Sequence, residues 1–376
     1  MMSNKPVVVY GASGYTGRLI CEYLREYNVP FTAAGRDEGK LTASMERNVA
    51  GIETADYEVV QVDHDVDSLT ELFRGSSVVL NTVGPFIKFG DTVVQASLNA
   101  GAHYSDTNGE QDWMIHCDDT FHQRYAEAGL LLAPGIAHMY TTGEIAAQIA
   151  LETPGLDTLD IAVFWGGSPT IASTRTILVN AAGGDAFYLE QNQYVSFDPM
   201  QGLVPLSVPG QHELAQSLPW GGTSHPVWFK RDPRVANCKA QGGVFNAALM
   251  NNVPVIVADA LEATKDMSPE DRADALDAVA AQVMNSMPPR ENPRVNKSLD
   301  SVHASGPLGR SHVVIHGNSN YKQTGLLQAY AAYSLLQQPP KRVGLASGCQ
   351  AFGHRELEGV LRTFGLISEP IVTVHR

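Results

Sequence analysis

No stretch of the chain approaches the ~18 consecutive apolar residues that a membrane-spanning helix needs, so a bundle of spanning helices is excluded from the outset. Basic residues are scarce, with 26 Lys and Arg against 40 Asp and Glu and a net charge of −14. Nucleic acids and anionic membrane surfaces are held by an excess of cations, so neither is an expected partner. Cysteine is rare as well. Cys21, Cys117, Cys238 and Cys349 lie far apart with no CxxC pair, which argues against a zinc ribbon or a disulfide framework and suits reduced thiols. No metal site is expected. The N-terminus leads directly into a strand without a basic-then-apolar signal segment, so a cytoplasmic location is the expectation. Internal repeats and low-complexity tracts are also missing.

What remains is an ordinary globular composition, 44% hydrophobic and 18% charged. At 376 residues the chain is long enough for two domains with a well-buried core. Its most informative stretch comes first. Val7-Val8-Val9-Tyr10 reads as a buried parallel strand. Gly11, Gly14 and Gly17 then space a turn that runs into a helix with Leu19, Ile20, Tyr23 and Leu24 on one face. Strand, glycine turn and helix in that order are what a dinucleotide phosphate requires. The first glycine permits the tight turn, the second lets the backbone approach a pyrophosphate, and the third lets helix and strand pack closely. Gly11, Ser13, Gly14, Tyr15, Thr16 and Gly17 are therefore candidate cofactor-binding residues. The spacing is GxxGxxG, which departs from the usual GxGxxG, and a glycine turn of any α/β protein is the plainer alternative.

A second strand, Pro30 to Ala34, ends at Gly35-Arg36. The end of such a strand lies beside the adenosine ribose, where an acid would accept from the 2′-hydroxyl and repel a 2′-phosphate. The first charge here is Arg36, whose planar guanidinium suits phosphate, with Lys40 one turn later. NADP(H) is the favoured cofactor. Asp37, next to Arg36, is the residue able to take the acidic role instead, or to pair with Arg36 on the surface. Tyr57 to Val62 reads as a third strand with Asp63 at its adenine-bordering end, Val66 to Phe73 as a helix, and Ser76 to Thr82 as a fourth strand. The loop that leaves it, Thr82, Val83, Gly84, Pro85 and Phe86, is expected to run along the cofactor toward the nicotinamide.

The run Asn81-Thr-Val-Gly-Pro-Phe86, Gly101-Ala-His-Tyr104-Ser-Asp106-Thr-Asn-Gly109-Glu110, together with the early GASGYTG and the Ala-Gly-Arg turn, resembles the saccharopine dehydrogenase-like oxidoreductases. The resemblance covers roughly the first 135 residues and returns near the C-terminus at Gly344, Gly348 and Cys349-Gln-Ala-Phe-Gly353. Many relatives read "GFDSxPxDxG" after the sixth strand. This chain has Gly135-Ile-Ala-His138-Met-Tyr140-Thr-Thr-Gly143-Glu144, which keeps the glycine and replaces the acidic and serine positions. The resemblance implies an α/β fold, a Rossmann-type doubly wound parallel sheet with an inserted α+β substrate domain. The expected boundaries are 1–134 for the NADP-binding domain, 135–320 for the substrate domain, and 321–376 for C-terminal helices returning to the first. Within the insertion, Leu159 to Trp165, Pro226 to Phe229 and Ser311 to His316 read as strands, Ser173 to Ala182 and Pro269 to Met284 as helices, and 198–226 and 286–309 as long connections.

A hydride enzyme takes its redox power from the cofactor, so the protein must supply orientation and usually one proton donor. His138 and Tyr140, at the junction of the domains, are the candidate catalytic residues; packing of the junction is the plainer alternative. Tyr140 is preferred narrowly, although a phenol needs its pKa of ~10 lowered and an imidazole does not. Trp165, Trp220, Trp228, Phe187, Tyr188, Tyr194 and Phe197 suggest an aromatic pocket for an apolar or conjugated substrate, or simply a core. Arg175, Lys230, Arg231 and Arg234 keep a carboxylate-bearing substrate open. The leading expectation is an NADP(H)-dependent oxidoreductase acting on a C=C, C=N or C=O bond of a small molecule, with a homodimer as the candidate assembly. The alternative is a catalytically idle dinucleotide-binding sensor or scaffold.

Overall fold

The computed structural model describes residues 5–183, 186–198, 202–219, 224–283 and 287–375. Trp220 and Met284 lie outside the described residues. The first half of the chain alternates strand and helix: β1 (Val7–Tyr10), α1 (Tyr15–Glu26), β2 (Phe31–Gly35), α2 (Glu38–Asn48), β3 (Tyr57–Gln61), α3 (Val66–Phe73), β4 (Val78–Asn81), α4 (Phe86–Ala100), β5 (His103–Asp106), α5 (Gln111–Thr120), α6 (His122–Glu127), β6 (Leu131–Ala133) and α7 (His138–Ala150). There follow β7 (Thr158–Trp165), α8 (Ile171–Gly183), β8 (Phe187–Glu190), β9 (Gln193–Ser196), β10 (Val204–Leu206), β11 (Ala215–Ser217), α9 (His225–Phe229), β12 (Asn237–Val244), α10 (Ala247–Thr264), α11 (Pro269–Val283), β13 (Lys297–Gly306) and β14 (Gly309–Asn318). The chain closes with α12 (Asn320–Gln337), β15 (Gly344–Leu345), α13 (Gly348–Phe352), α14 (His354–Thr363) and β16 (Ile371–His375).

Two compact units result. The first comprises Met1–Asn108, Asp112–Thr141 and Tyr321–Leu366. Its sheet has the order β15-β6-β5-β4-β1-β2-β3 and is parallel throughout, the doubly wound arrangement expected. β1 and β4 are wholly buried because both faces carry helices, which is why they read as unbroken apolar runs. One core joins Val8, Tyr10, Phe73, Phe86, Tyr104, Trp113 and Tyr125. Gly90 on α4 makes room for that core, since a Cβ there would lie 2.4 Å from two ring carbons of Trp113. Gly90→Ala is therefore expected to cost about 1–3 kcal/mol through overpacking, read as a lower urea midpoint at unchanged m. An unchanged midpoint would mean that the indole can move away.

The second unit comprises Gly109–Gln111, Thr142–Asn320 and Ile367–Arg376. It holds a mixed sheet, β16-β14-β13-β7-β12-β8-β9, and a small β10-β11 hairpin. Four expectations are corrected here. The chain touches the second unit briefly at Gly109–Gln111, and its main crossing falls inside α7, between Thr141 and Thr142, where 134/135 was expected. The last ten residues do not return with the C-terminal helices, because β16 pairs antiparallel with β14 of the second sheet. Pro226 to Phe229 is part of helix α9; a four-residue apolar run carries no period, and the proline in the first helical turn was the better signal. Residues 286–309 are not only a connection, since β13 pairs with β7 on one side and β14 on the other. Its sequence, KSLDSVHASG, is poor in strand formers, so flanking strands and not propensity make it a strand.

Candidate functional site

In a parallel sheet every loop after a strand leaves at the carboxyl edge, so the turns after β1, β2, β3, β4 and β6 gather there. The turn after β1 is built around glycine. Gly11 has φ +88°, and a Cβ on it would meet Thr82 Oγ1 at 2.5 Å and Val83 Cγ2 at 2.9 Å. Thr82 Oγ1 lies 3.1 Å from both the Tyr10 and Gly11 carbonyl oxygens and donates to them, locking the β4 end against the turn. Gly17 is pressed on the turn's backbone, with a Cβ position 2.5 Å from Gly11 O and 2.8 Å from Ala12 Cα. Gly14 differs: the nearest atom to its Cβ position is Gly11 O, at 3.2 Å. It is the N-cap of α1 and supplies no capping side chain, and no acidic residue stands in the helix's first turn. The opening N–H groups of a twelve-residue helix thus have no side-chain acceptor at their cap, which is the condition for holding an anion. Ser13, Tyr15 and Thr16 are half-buried around this cradle, with Ser44 Oγ donating to Ser13 O and Tyr15 standing edge-on to Tyr321.

At the end of β2 the two charges separate in role. The Asp37 carboxylate caps α2, accepting from the backbone N–H of Lys40 at 2.8 Å. Arg36 is exposed and has no carboxylate partner among the described residues, and Lys40 is exposed beside it. The exposed Asp63 follows β3, and after it comes His64, which sequence reasoning passed over. Tyr10 Oη and His64 Nδ1 are 2.9 Å apart. Burial, with Asp63 and Asp65 adding to it against the opposing pull of Arg36, pushes the Tyr10 phenol up to about 12. Burial and then Arg36 lower the His64 imidazole. The polar run Asp63-His64-Asp65 at a strand end was the available signal, since polar residues there face the crevice.

The loop after β4 is held by its own strand, with Asn81 Oδ1 accepting from Val83 N at 2.9 Å. The Gly84–Pro85 peptide is cis. The Phe86 side chain belongs to the core, which leaves only its backbone for the crevice. Asp106, at the end of β5, anchors the turn after β6. Its buried carboxylate accepts from Tyr104 Oη at 2.8 Å, Trp113 Nε1 at 3.1 Å, Asn108 N at 3.0 Å, Asn108 Nδ2 at 2.7 Å and Gly135 N at 2.8 Å. Burial raises its pKa, and the Asn108, Gly135 and Trp113 donors pull it back. Gln328 Nε2 on α12 donates to the carbonyls of Asp106 and Ile136, at 2.6 and 2.8 Å.

His138 and Tyr140 emerge from that anchored turn on the first turn of α7, with His138 N donating to Thr324 Oγ1 at 3.0 Å. Both side chains are buried. Burial pushes the His138 imidazole down to about 3, which corrects the expectation of a histidine titrating near neutrality. In the second unit Trp165, Trp228 and Phe197 are core, as the plainer alternative had it. Phe187, Tyr188 and Tyr194 sit half-buried on the β8-β9 hairpin, with Lys239 over Tyr188 and Phe197 and Lys230 over Tyr194. Arg234 is engaged with Asp232 and donates to Gln148. All four cysteines are buried, and among the described residues no three His, Cys, Asp or Glu side chains cluster as metal ligands.

Known proteins divide the chain similarly. Residues 7–131 match the saccharopine dehydrogenase NADP binding domain, and residues 141–376 match a family of unknown function, DUF5938. A lipid droplet localized protein of Caenorhabditis elegans is 36% identical over 137 residues, covering 34% of this chain and 32% of that one. A trans-acting enoyl reductase of Mycobacterium ulcerans is 31% identical over 160 residues, 37% of this chain and 38% of its own. The chain thus spans about a third of the length of these curated relatives. Apo saccharopine dehydrogenase (L-Glu forming) from Saccharomyces cerevisiae has the same fold, with a TM-score of 0.64 at 12% identity over 98% of this chain and 100% of that chain. The chain belongs to the DUF5938 family of unknown function and opens with a saccharopine dehydrogenase NADP binding domain.

Proposed function

We propose that this protein is an NADP(H)-dependent oxidoreductase that moves a hydride to or from a C=C, C=N or C=O bond of a small molecule. One observation carries the cofactor assignment. At the end of β2 the carboxylate is used as a helix cap, and the guanidinium beside it has no carboxylate partner among the described residues. The glycine cradle fits the rest of the group, because the uncapped start of α1 and the space at Gly14 suit a pyrophosphate. In this reading Gly11, Ser13, Gly14, Tyr15, Thr16 and Gly17 hold the pyrophosphate, and Arg36 with Lys40 the 2′-phosphate. Asp63 and the loop from Thr82 to Phe86 border the remainder. When bound, NADP(H) supplies or accepts the hydride.

The protein's own part is to orient and to hold a proton. Tyr140 remains the candidate proton donor of this reading, since its neighbour His138 is kept neutral by burial and has no imidazolium proton to give near pH 7. The engagement of Arg234 and the placing of Lys230 and Lys239 over aromatic rings leave few cations for a carboxylate, which supports an apolar or conjugated substrate. The relative described as an enoyl reductase supports the C=C member of the set.

Calorimetric titration with both dinucleotides, followed by a substrate screen read through NADPH absorbance, tests the proposal. Arg36→Ala is expected to weaken NADPH about 10- to 100-fold, the worth of a lost charge-assisted contact of about 1.5–3 kcal/mol, and to leave NADH unchanged. Equal wild-type affinity for NADH and NADPH would remove the assignment of Arg36. Tight binding with no turnover on any substrate class would favour the idle sensor.

A further inference from the structure

At this edge of the first unit the assignments above leave the chemistry of the His64 side chain unused. Its Nδ1 faces the Tyr10 hydroxyl at 2.9 Å, and the two rings are nearly parallel, with planes 11° apart. Its Nε2 is buried and has no hydrogen-bond partner among the described residues. The protonation pattern follows from the neighbours. Tyr10 is buried, keeps its proton at any ordinary pH, and has no acceptor but Nδ1 among the described residues. The hydroxyl therefore donates to Nδ1, and the one proton of the neutral imidazole sits on Nε2. The result is a fixed N–H donor, out of water, with nothing to give to.

A buried donor left unpaired weakens a fold, and nothing in the structure without ligand repays it. Its surroundings say what it is for. Phe89, at the start of α4, stands edge-on to the imidazole, with centroids 5.3 Å apart and planes at 89°. Tyr10 closes another side. Two sides of the imidazole are thus aromatic rings, which suits a flat heterocycle with a ring-nitrogen acceptor. β2 and β3 are paired neighbours, with Gly35 opposite Gln61, so the strand ends that carry Arg36 and His64 lie side by side, at the adenosine end of the dinucleotide reading.

Resting on the proposed dinucleotide site, we propose that His64 Nε2–H reads the adenine base, donating to one of its ring nitrogens, with Tyr10 holding the tautomer that makes this possible. The half-buried Phe89 ring turns aside as the base enters. His64 is then a binding residue of the cofactor site and Tyr10 a positioning residue behind it.

The test is the double variant Tyr10→Phe/His64→Phe, which keeps both positions aromatic and removes both the donor and the hydroxyl that would otherwise lose its partner. Its ligand-free form is expected to melt at or above the wild-type temperature, because no buried polar atom is left unpaired. Its affinity is expected to fall about three- to ten-fold for NADPH and NADH alike, the loss of one neutral hydrogen bond to the part they share. In the ¹⁵N-histidine-labelled wild type, adenosine 2′,5′-bisphosphate should move the His64 Nε2 resonance although it lacks the nicotinamide. Wild-type affinity of the double variant for both dinucleotides overturns the inference. Loss of NADPH affinity alone overturns it too, and assigns the donor to the 2′-phosphate. If the wild type binds neither dinucleotide, the reading of the whole site fails and this one with it. If only the double variant behaves as the wild type, the cofactor site stands and His64 is no part of it.

Discussion

Gly14→Val is expected to abolish NADP(H) binding while the protein stays folded. Gly14 has φ −70° and ψ 166°, an extended backbone that valine adopts readily. Its Cβ position meets nothing nearer than Gly11 O at 3.2 Å, so the native packing needs only a small local adjustment. The added branches instead occupy the space in front of the first N–H groups of α1, where a pyrophosphate has to come. Losing two charge-assisted backbone contacts of about 1.5–3 kcal/mol each weakens binding by roughly 10² to 10⁴. Calorimetry against NADPH, with circular dichroism as the control, reads both halves of the expectation. Retained affinity would show the turn to be an ordinary bend. Gly17 has no such room, since its Cβ position collides with the backbone of Gly11 and Ala12, so only at Gly14 do binding and folding separate.

The other large effect is expected at Tyr140. Loss of a general acid or base typically lowers the chemical step by about 10² to 10⁴. Tyr140→Phe removes one hydroxyl from a buried ring on the first turn of α7, so that loss is expected with dinucleotide affinity barely changed. Single-turnover kinetics with NADPH, once a substrate is found, separates the two. His138→Ala is the paired measurement. Near-wild-type turnover in Tyr140→Phe, with a large loss in His138→Ala, would give the role to the imidazole in its neutral form. If neither change slows the step, the start of α7 serves packing and its anchorage to Asp106 and Thr324 is structural.

The glycine turn was legible because its requirements are local: a positive φ at Gly11 and a close approach at Gly17 are properties that only glycine meets. The first strands were legible for a similar reason, since burial on both faces leaves an unbroken apolar run. The second unit was less so. β13 carries Asp300 and His303 and is a strand only because β7 and β14 flank it, whereas α9 is too short for its period to show. Propensity describes a segment alone, and these segments take their form from neighbours distant in sequence.

The sequence by itself thus determined the α/β class, the dinucleotide-type turn, the family resemblance of the first third, and the positions of the charges that bear on the cofactor. Each depends on residue identity and short spacing. Only the tertiary structure decided how those residues act. It turned Asp37 into a helix cap and left Arg36 without a carboxylate partner among the described residues, and it removed His138 from titration near neutrality by burying it. It also joined Tyr10 to His64 across 54 positions and tied the β6–α7 turn to Asp106 and to Gln328 on α12. Hydrogen-bond pairing and desolvation depend on which atoms share a buried space, and chain order alone does not specify that.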